Sequence, residues 1–159
     1  MPRKLPKIIT EEEFVLGIKK VSKPKIKLAF MLGFYQAMRV SEVVNLKPDN
    51  ADIKTGYIHI IDSKFGKDRD IPIMKPVEFG LRHLPVGVGI RALQKQIKKY
   101  WPELHFHSLR HSGATFYLNE KGRNIRQIQQ LLGHVKAETT SIYLHINPQQ
   151  LKRGFEDIW

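Results

Sequence analysis

The 159-residue sequence contains no cysteine. That absence removes disulfides, thiolate zinc sites and cysteine nucleophiles, and it leaves the redox compartment unread. Acidic residues are scarce: 15 Asp and Glu stand against 27 Lys and Arg, giving a formal net charge of +12 and a pI near 10.0. Such a surplus points to a polyanionic partner, nucleic acid first, although a basic composition alone also fits a protein that is merely soluble. Long apolar runs are missing as well. None approaches the roughly 20 residues of a membrane span, and the opening Met1-Pro-Arg-Lys-Leu-Pro6 lacks the apolar stretch of a signal peptide. Cytoplasmic residence is the resulting expectation. No repeat, low-complexity segment or linker divides the chain, and 42% hydrophobic content supplies a conventional core, so one domain is expected.

What is present reads mainly as helix. Thr10 followed by Glu13 has capping-box spacing and predicts a helix carrying Phe14, Ile18 and Val21. Pro24 suits the first turn of a second helix, whose centre, Leu28-Ala-Phe-Met-Leu-Gly-Phe-Tyr35, is apolar nearly all round and belongs in a core. A short helix is predicted over 40–46, stopped by Pro48-Asp-Asn50. The texture then changes to alternating β-rich segments over 51–54, 57–61 and 69–73, with Ser63-Lys-Phe-Gly66 as a turn. These make a small antiparallel sheet, and Pro72 marks its last strand as an edge. Helix returns from residue 75, over 90–101, over 108–121 with Gly122 as terminator, from the Asn124 cap through 132 with Gly133 as stop, and over 136–144 and 149–155. The fold class is mainly α with a small antiparallel β-sheet.

Six dispersed residues suit phosphodiester chemistry without a metal: Arg39, Lys64, His107, Arg110, His134 and Tyr143. Arginines can neutralise a phosphate, lysine and histidine can move protons, and a tyrosine can attack and hold the phosphoryl group covalently. Each position also has a plainer reading. His107 and Arg110 lie one helical turn apart, which equally describes a solvated helix face. His107 and His111 have zinc-helix spacing, with His105 nearby, but the intervening Ser108-Leu-Arg110 offers no glutamate and sets a fixed cation beside the metal, so no metal is expected. His134 follows a helix end, where a histidine can simply serve the last carbonyls. Tyr143, nine residues on, is equally ordinary packing, and as a nucleophile it must shed a proton whose usual pKa is about 10 with help from neighbouring cations or a base. Arg39 is costly beside an apolar helix unless paired, and Glu42, three residues on, is the expected partner. Lys64 sits in a predicted turn, where Lys67 and Arg69 compete with it for any functional role.

Together these residues resemble the catalytic domain of the tyrosine recombinases, the phage integrase family. Ala37-Met-Arg39-Val-Ser-Glu-Val43 is similar to the family's first arginine box, and His107-Ser-Leu-Arg110-His-Ser-Gly-Ala-Thr115 to its His-x-x-Arg box. Leu131-Leu-Gly-His134 through Thr139-Thr-Ser-Ile-Tyr143-Leu-His145 resembles the histidine-to-tyrosine segment. The similarity covers most of residues 1–159. It implies that Arg39 and Arg110 bind the non-bridging oxygens of the scissile phosphate, that Tyr143 attacks phosphorus to leave a 3′-phosphotyrosine and a free 5′-hydroxyl, and that Lys64 is the general acid, with Lys67 its rival. His107 and His134 would assist by proton transfer and phosphate hydrogen bonds. The implied activity is site-specific DNA strand cleavage and rejoining with neither metal nor ATP.

The resemblance further implies double-stranded DNA as partner, a homo-oligomer (a tetramer) on DNA with a monomer possible in solution, and a nucleoid-associated or virus- or plasmid-encoded setting in a prokaryote. Its last segment would dock on a neighbouring protomer through Phe155 and Trp159. Three departures stand out: Gln36-Ala-Met38 replaces the family's glycine-containing lead into the first arginine, Phe65 follows Lys64 where glycine is common, and residues 73–107 form a short connection. The family's separate N-terminal DNA-clamping domain has no counterpart in this sequence. Competing readings are a type IB topoisomerase, which normally lacks the Leu-Gly-His box, a catalytically silent DNA-binding module, and a metal-dependent nuclease.

Overall fold

The computed structural model describes residues 7–61 and 68–133. Its first helix, α1 (Glu11–Ile18), starts at the expected cap: Thr10 Oγ1 accepts from the Glu13 N–H at 3.1 Å, while Glu13 Oε2 accepts from the Thr10 N–H at 3.0 Å. The second, α2 (Pro24–Tyr35), has proline in its first turn and buries residues on every side, including Leu28, Phe30, Leu32, Phe34 and Tyr35. A helix without a polar face needs neighbours all round. It finds them in α1, α3 (Val40–Asn45), α4 (Lys75–Glu78), α5 (Ile90–Tyr100) and α6 (Phe106–Asn119). The series closes with α7 (Ile125–Leu132), capped by Asn124 and ended by Gly133 at φ 71°.

Aromatic rings fill the space between these helices. Phe14 stacks on Phe34 (4.3 Å between centroids) and on Trp101 (5.4 Å), and Phe30 lies edge-on to Trp101. Such contacts add to the large apolar area each ring buries. Where helices meet most closely, glycine is required. A Cβ on Gly113 of α6 would fall 1.8 Å from the Phe34 carbonyl oxygen of α2, and one on Gly17 would fall 2.4 Å from the Trp101 ring.

The sheet is three-stranded and antiparallel, in the order β1 (Ala51–Asp52), β2 (Tyr57–Ile60), β3 (Arg69–Pro72). Ile58 pairs with Ala51 on one side and Ile71 on the other, and Ile58, Ile60 and Ile71 face the core. As Pro72 predicts, β3 is an edge among the described strands. Gln36, wholly buried, fastens it to the end of α2: its Nε2 donates to the Pro72 carbonyl (2.9 Å) and its Oε1 accepts from the Met74 N–H (2.6 Å).

Several boundaries differ from expectation. Helix α6 begins at Phe106 rather than at residue 108, because Ser108 lies inside the first turn and its Oγ accepts from the His105 N–H at 3.1 Å. The first strand is also shorter than the alternation indicates, ending at Asp52, whose side chain accepts from the Lys54 and Thr55 N–H groups and turns the chain. The turn over 63–66 and the helices expected over 136–144 and 149–155 lie outside the described residues.

Because the Gly113 contact is backbone against backbone, Gly113→Ala must separate α2 from α6. The expected loss is about 3 kcal/mol, the upper part of the overpacking range, read from urea unfolding midpoints.

Candidate active site

The chain enters the site at Ala37, which takes a positive φ of 50° before Arg39 extends the backbone and caps α3. Glu42, at the third position of that helix, accepts the Arg39 N–H at 2.8 Å and its guanidinium at a longer 3.4 Å. The partnership expected between Arg39 and Glu42 is therefore formed, by backbone more than by side chain. Glu42 also receives a second arginine. Arg69, on β3, places Nη1 2.6 Å from Oε2 and Nη2 3.1 Å from Oε1, a two-pronged contact with both oxygens.

Arg110 completes the cluster. It is 1% exposed, and its Nη1 lies 3.9 Å from Glu42 Oε1. Two carbonyls orient it: Nη1 donates to Ala37 O (2.8 Å) and Nη2 to Leu132 O (2.9 Å). Arg69 uses Nε in the same way on Leu131 O at 3.1 Å. The last carbonyls of α7, at the negative end of its dipole, thus face two guanidiniums. A carboxylate only 7% exposed would be unfavourable alone, and so would a buried arginine. Here three cations meet one anion, so pairing is satisfied and positive charge remains in surplus among the described groups.

His107 lies on α6 one turn before Arg110 and is exposed, its ring edge-on to His111 at 4.4 Å. Arg39 and Arg110 are in this way gathered around Glu42 at the end of α7, and His107 lies one helical turn from Arg110. Lys64, His134 and Tyr143 lie outside the described residues, as does Lys67. Of the remaining tyrosines, two are poor nucleophiles. Burial, with Glu11 adding to it, pushes the Tyr35 hydroxyl up to about 12. Burial, then the neighbouring Tyr35 and Glu11, pushes Tyr117 in the same direction, and the Tyr117 hydroxyl donates to the Tyr35 carbonyl at 2.6 Å.

Arg69 is the residue that sequence reasoning undervalued. Its neighbours Lys67, Asp68 and Asp70 make it read as one charge of a solvated strand. Strand parity holds the missing signal: Arg69 stands two residues from the buried Ile71 and so shares its inward face.

Comparison with known proteins identifies the fold and the family. The crystal structure of XerA recombinase superposes with a TM-score of 0.81 at 26% identity, covering 98% of this chain and 66% of that one. A XerH recombinase bound to a palindromic difH substrate gives 0.73 at 24% identity, which speaks for the fold. The chain therefore has the catalytic-domain fold of the tyrosine recombinases. Among curated proteins, tyrosine recombinase XerA of Pyrococcus furiosus is 33% identical over 181 residues, covering 98% of this chain and 63% of that protein. Tyrosine recombinase XerD of Pasteurella multocida is 28% identical with the same two coverages. The phage integrase family profile matches residues 7–84 and 87–150, and the chain belongs to that family. It spans a little under two thirds of the length of these relatives.

On the outer face of the sheet, His59 Nδ1 meets Asp70 Oδ1 at 2.7 Å across the strand pair, and Nε2 lies 3.4 Å from Asp68 Oδ2. The Asp70 hydrogen bond is the largest influence, and with the charges of both carboxylates and the Asp68 contact it outweighs the opposing desolvation and raises the His59 pKa above its ordinary 6.5. A raised folded pKa means that this contact stabilises the β2–β3 pair fully below the unfolded pKa and weakens as pH rises through the folded value. An NMR titration should place the His59 midpoint above 6.5 in the native chain and return it toward 6.5 in Asp70→Asn.

Proposed function

We propose that this chain is the catalytic domain of a site-specific DNA recombinase that cuts and rejoins strands through a 3′-phosphotyrosine on Tyr143. The observation that carries the reading is the cluster of Arg39, Arg69 and Arg110 around Glu42. It is a preorganised concentration of positive charge built into the fold, with His107 one helical turn from Arg110, in a chain of net charge +12. Phosphoryl transfer to tyrosine leaves bond energy conserved in the phosphodiester exchange, so the chief task for the protein is to stabilise charge on the non-bridging oxygens. Arg39 and Arg110 take that role, and surrounding acceptors, the Glu42 carboxylate and the Ala37 and Leu132 carbonyls, hold them in place before substrate arrives.

Lys64, in the connection between β2 and β3, is proposed as the acid that protonates the leaving 5′-oxygen, with Lys67 as its rival. His107 and His134 assist with protons and phosphate hydrogen bonds. Gly133, in the left-handed conformation at the end of α7, ends the helix immediately before His134. Duplex DNA is the proposed partner, held through salt-sensitive phosphate contacts. Assembly on that DNA is proposed to involve four copies, with Phe155 and Trp159 in the contact between them.

A nicked suicide DNA substrate incubated with the protein in EDTA should yield a covalent adduct, and Tyr143→Phe should abolish it. Adduct surviving in that variant, or needing a divalent ion, would falsify the tyrosine mechanism. Joining of strands from two duplexes supports a recombinase, whereas relaxation of supercoils alone supports a topoisomerase. For the assembly, removal of residues 148–159 should shrink the DNA-bound oligomer seen by sedimentation. An unchanged size together with unchanged solubility refutes the tail contact.

A further inference from the structure

Glu42 is approached from three directions, and among the described residues the guanidinium of Arg69 is the one that grips both oxygens. Its Nη atoms sit at 2.6 and 3.1 Å, whereas the guanidinium of Arg39 reaches one oxygen at 3.4 Å and that of Arg110 comes within 3.9 Å of the other. The remaining donor of Arg69, Nε, takes the Leu131 carbonyl, next in sequence to the Leu132 carbonyl that orients Arg110. A guanidinium is planar and its donors are fixed relative to one another. With these three bonds made, Arg69 sets the plane and position of the Glu42 carboxylate against the end of α7. The space for it comes from Gly133, where a Cβ would lie 2.9 Å from Arg69 Nη1 and where φ is 71°.

We infer that Arg69 is a positioning residue for the phosphate-binding arginines: by fixing Glu42 it fixes how Arg39 is presented and where the compensating charge beside Arg110 sits. This rests on the recombinase reading above. Arg69 itself touches no reacting atom in this scheme. Its effect passes through Glu42, which holds the Arg39 backbone at 2.8 Å and so sets where that side chain departs from α3. Lysine at this position would supply charge without the fork, so it would give up one of the two contacts to the carboxylate and the bond to the Leu131 carbonyl.

The test uses the whole 159-residue chain and measures single-turnover adduct formation on two nicked DNAs. One has an ordinary scissile phosphodiester, the other a neutral methylphosphonate at the same place. Wild-type protein on the phosphodiester is the control for the underlying reading: no adduct there ends the recombinase proposal itself, whatever Arg69 does. Given that adduct, Arg69→Lys and Arg69→Met should slow phosphodiester cleavage about 10- to 100-fold, the scale of a small misplacement of catalytic groups. On the methylphosphonate, which has no anionic oxygen pair to neutralise, the slowing should shrink to less than about threefold. Equal slowing on both linkages, or a phosphodiester rate within about threefold of wild type, overturns the inference. A double-variant cycle with Glu42→Gln gives an independent reading. If Arg69 acts through Glu42, Arg69→Lys/Glu42→Gln is no slower than the slower single variant, while losses that multiply overturn it. Arg69→Lys keeps the stem and the charge, so this cycle decides the matter even if Arg69→Met melts early by circular dichroism.

Discussion

One carboxylate shared by three guanidiniums is the contact on which the rest of the site depends. Glu42 needs the arginines because it is nearly buried, and Arg69 and Arg110 need Glu42 and nearby carbonyls for the same reason. The four groups come from α3, β3 and α6, and two of the arginines also hold consecutive carbonyls at the end of α7. None of these elements can shift alone. Mutual dependence of this kind turns a set of polar residues into a fixed geometry.

The apolar core makes that convergence possible. With no polar face of its own, α2 lies in the middle, and each neighbour is located by contact with it. Gly113 lets α6 press its backbone against the end of α2, which delivers Arg110 to the Ala37 carbonyl. Gln36, one residue before Ala37, ties the end of β3 to the same place. The segment 36–39 is therefore a junction through which helix packing, sheet position and arginine placement are all set. Ala37 adopts a left-handed conformation there, at a cost of about 1 kcal/mol for a residue with a Cβ, offset by the tightly packed surroundings. The departure from the family's glycine-bearing lead falls at this point.

Much of this was legible in the sequence, for identifiable reasons. The Thr10 and Asn124 caps, the all-round apolar character of α2 and the stop at Gly133 are local signals, and local chemistry decides them. The pairing of Arg39 with Glu42 was legible because three residues separate them on one helical turn. The contact between Arg69 and Glu42 was not, since the two stand 27 positions apart and no local rule joins them. Only the inward parity that Arg69 shares with Ile71 marked it as a charge in need of a buried partner. The carbonyls that orient Arg110 were beyond reach for a different reason: backbone acceptors have no residue identity to read. The start of α6 lies two residues before the expected 108 because Ser108 acts on the His105 N–H from inside the first turn.

The exit of β3 has a consequence for colloidal behaviour. An open strand edge is a template on which another molecule's strand can grow, and a small sheet at the side of a helical domain would offer one. Here Pro72 has no N–H to present, its carbonyl is occupied by Gln36, and the Met74 N–H is occupied by the same amide. At the start of the strand, the Arg69 side chain is committed inward. Along this stretch little backbone is left on which a strand of another molecule could grow, so the side of the domain that carries the sheet is closed to edge-to-edge pairing there.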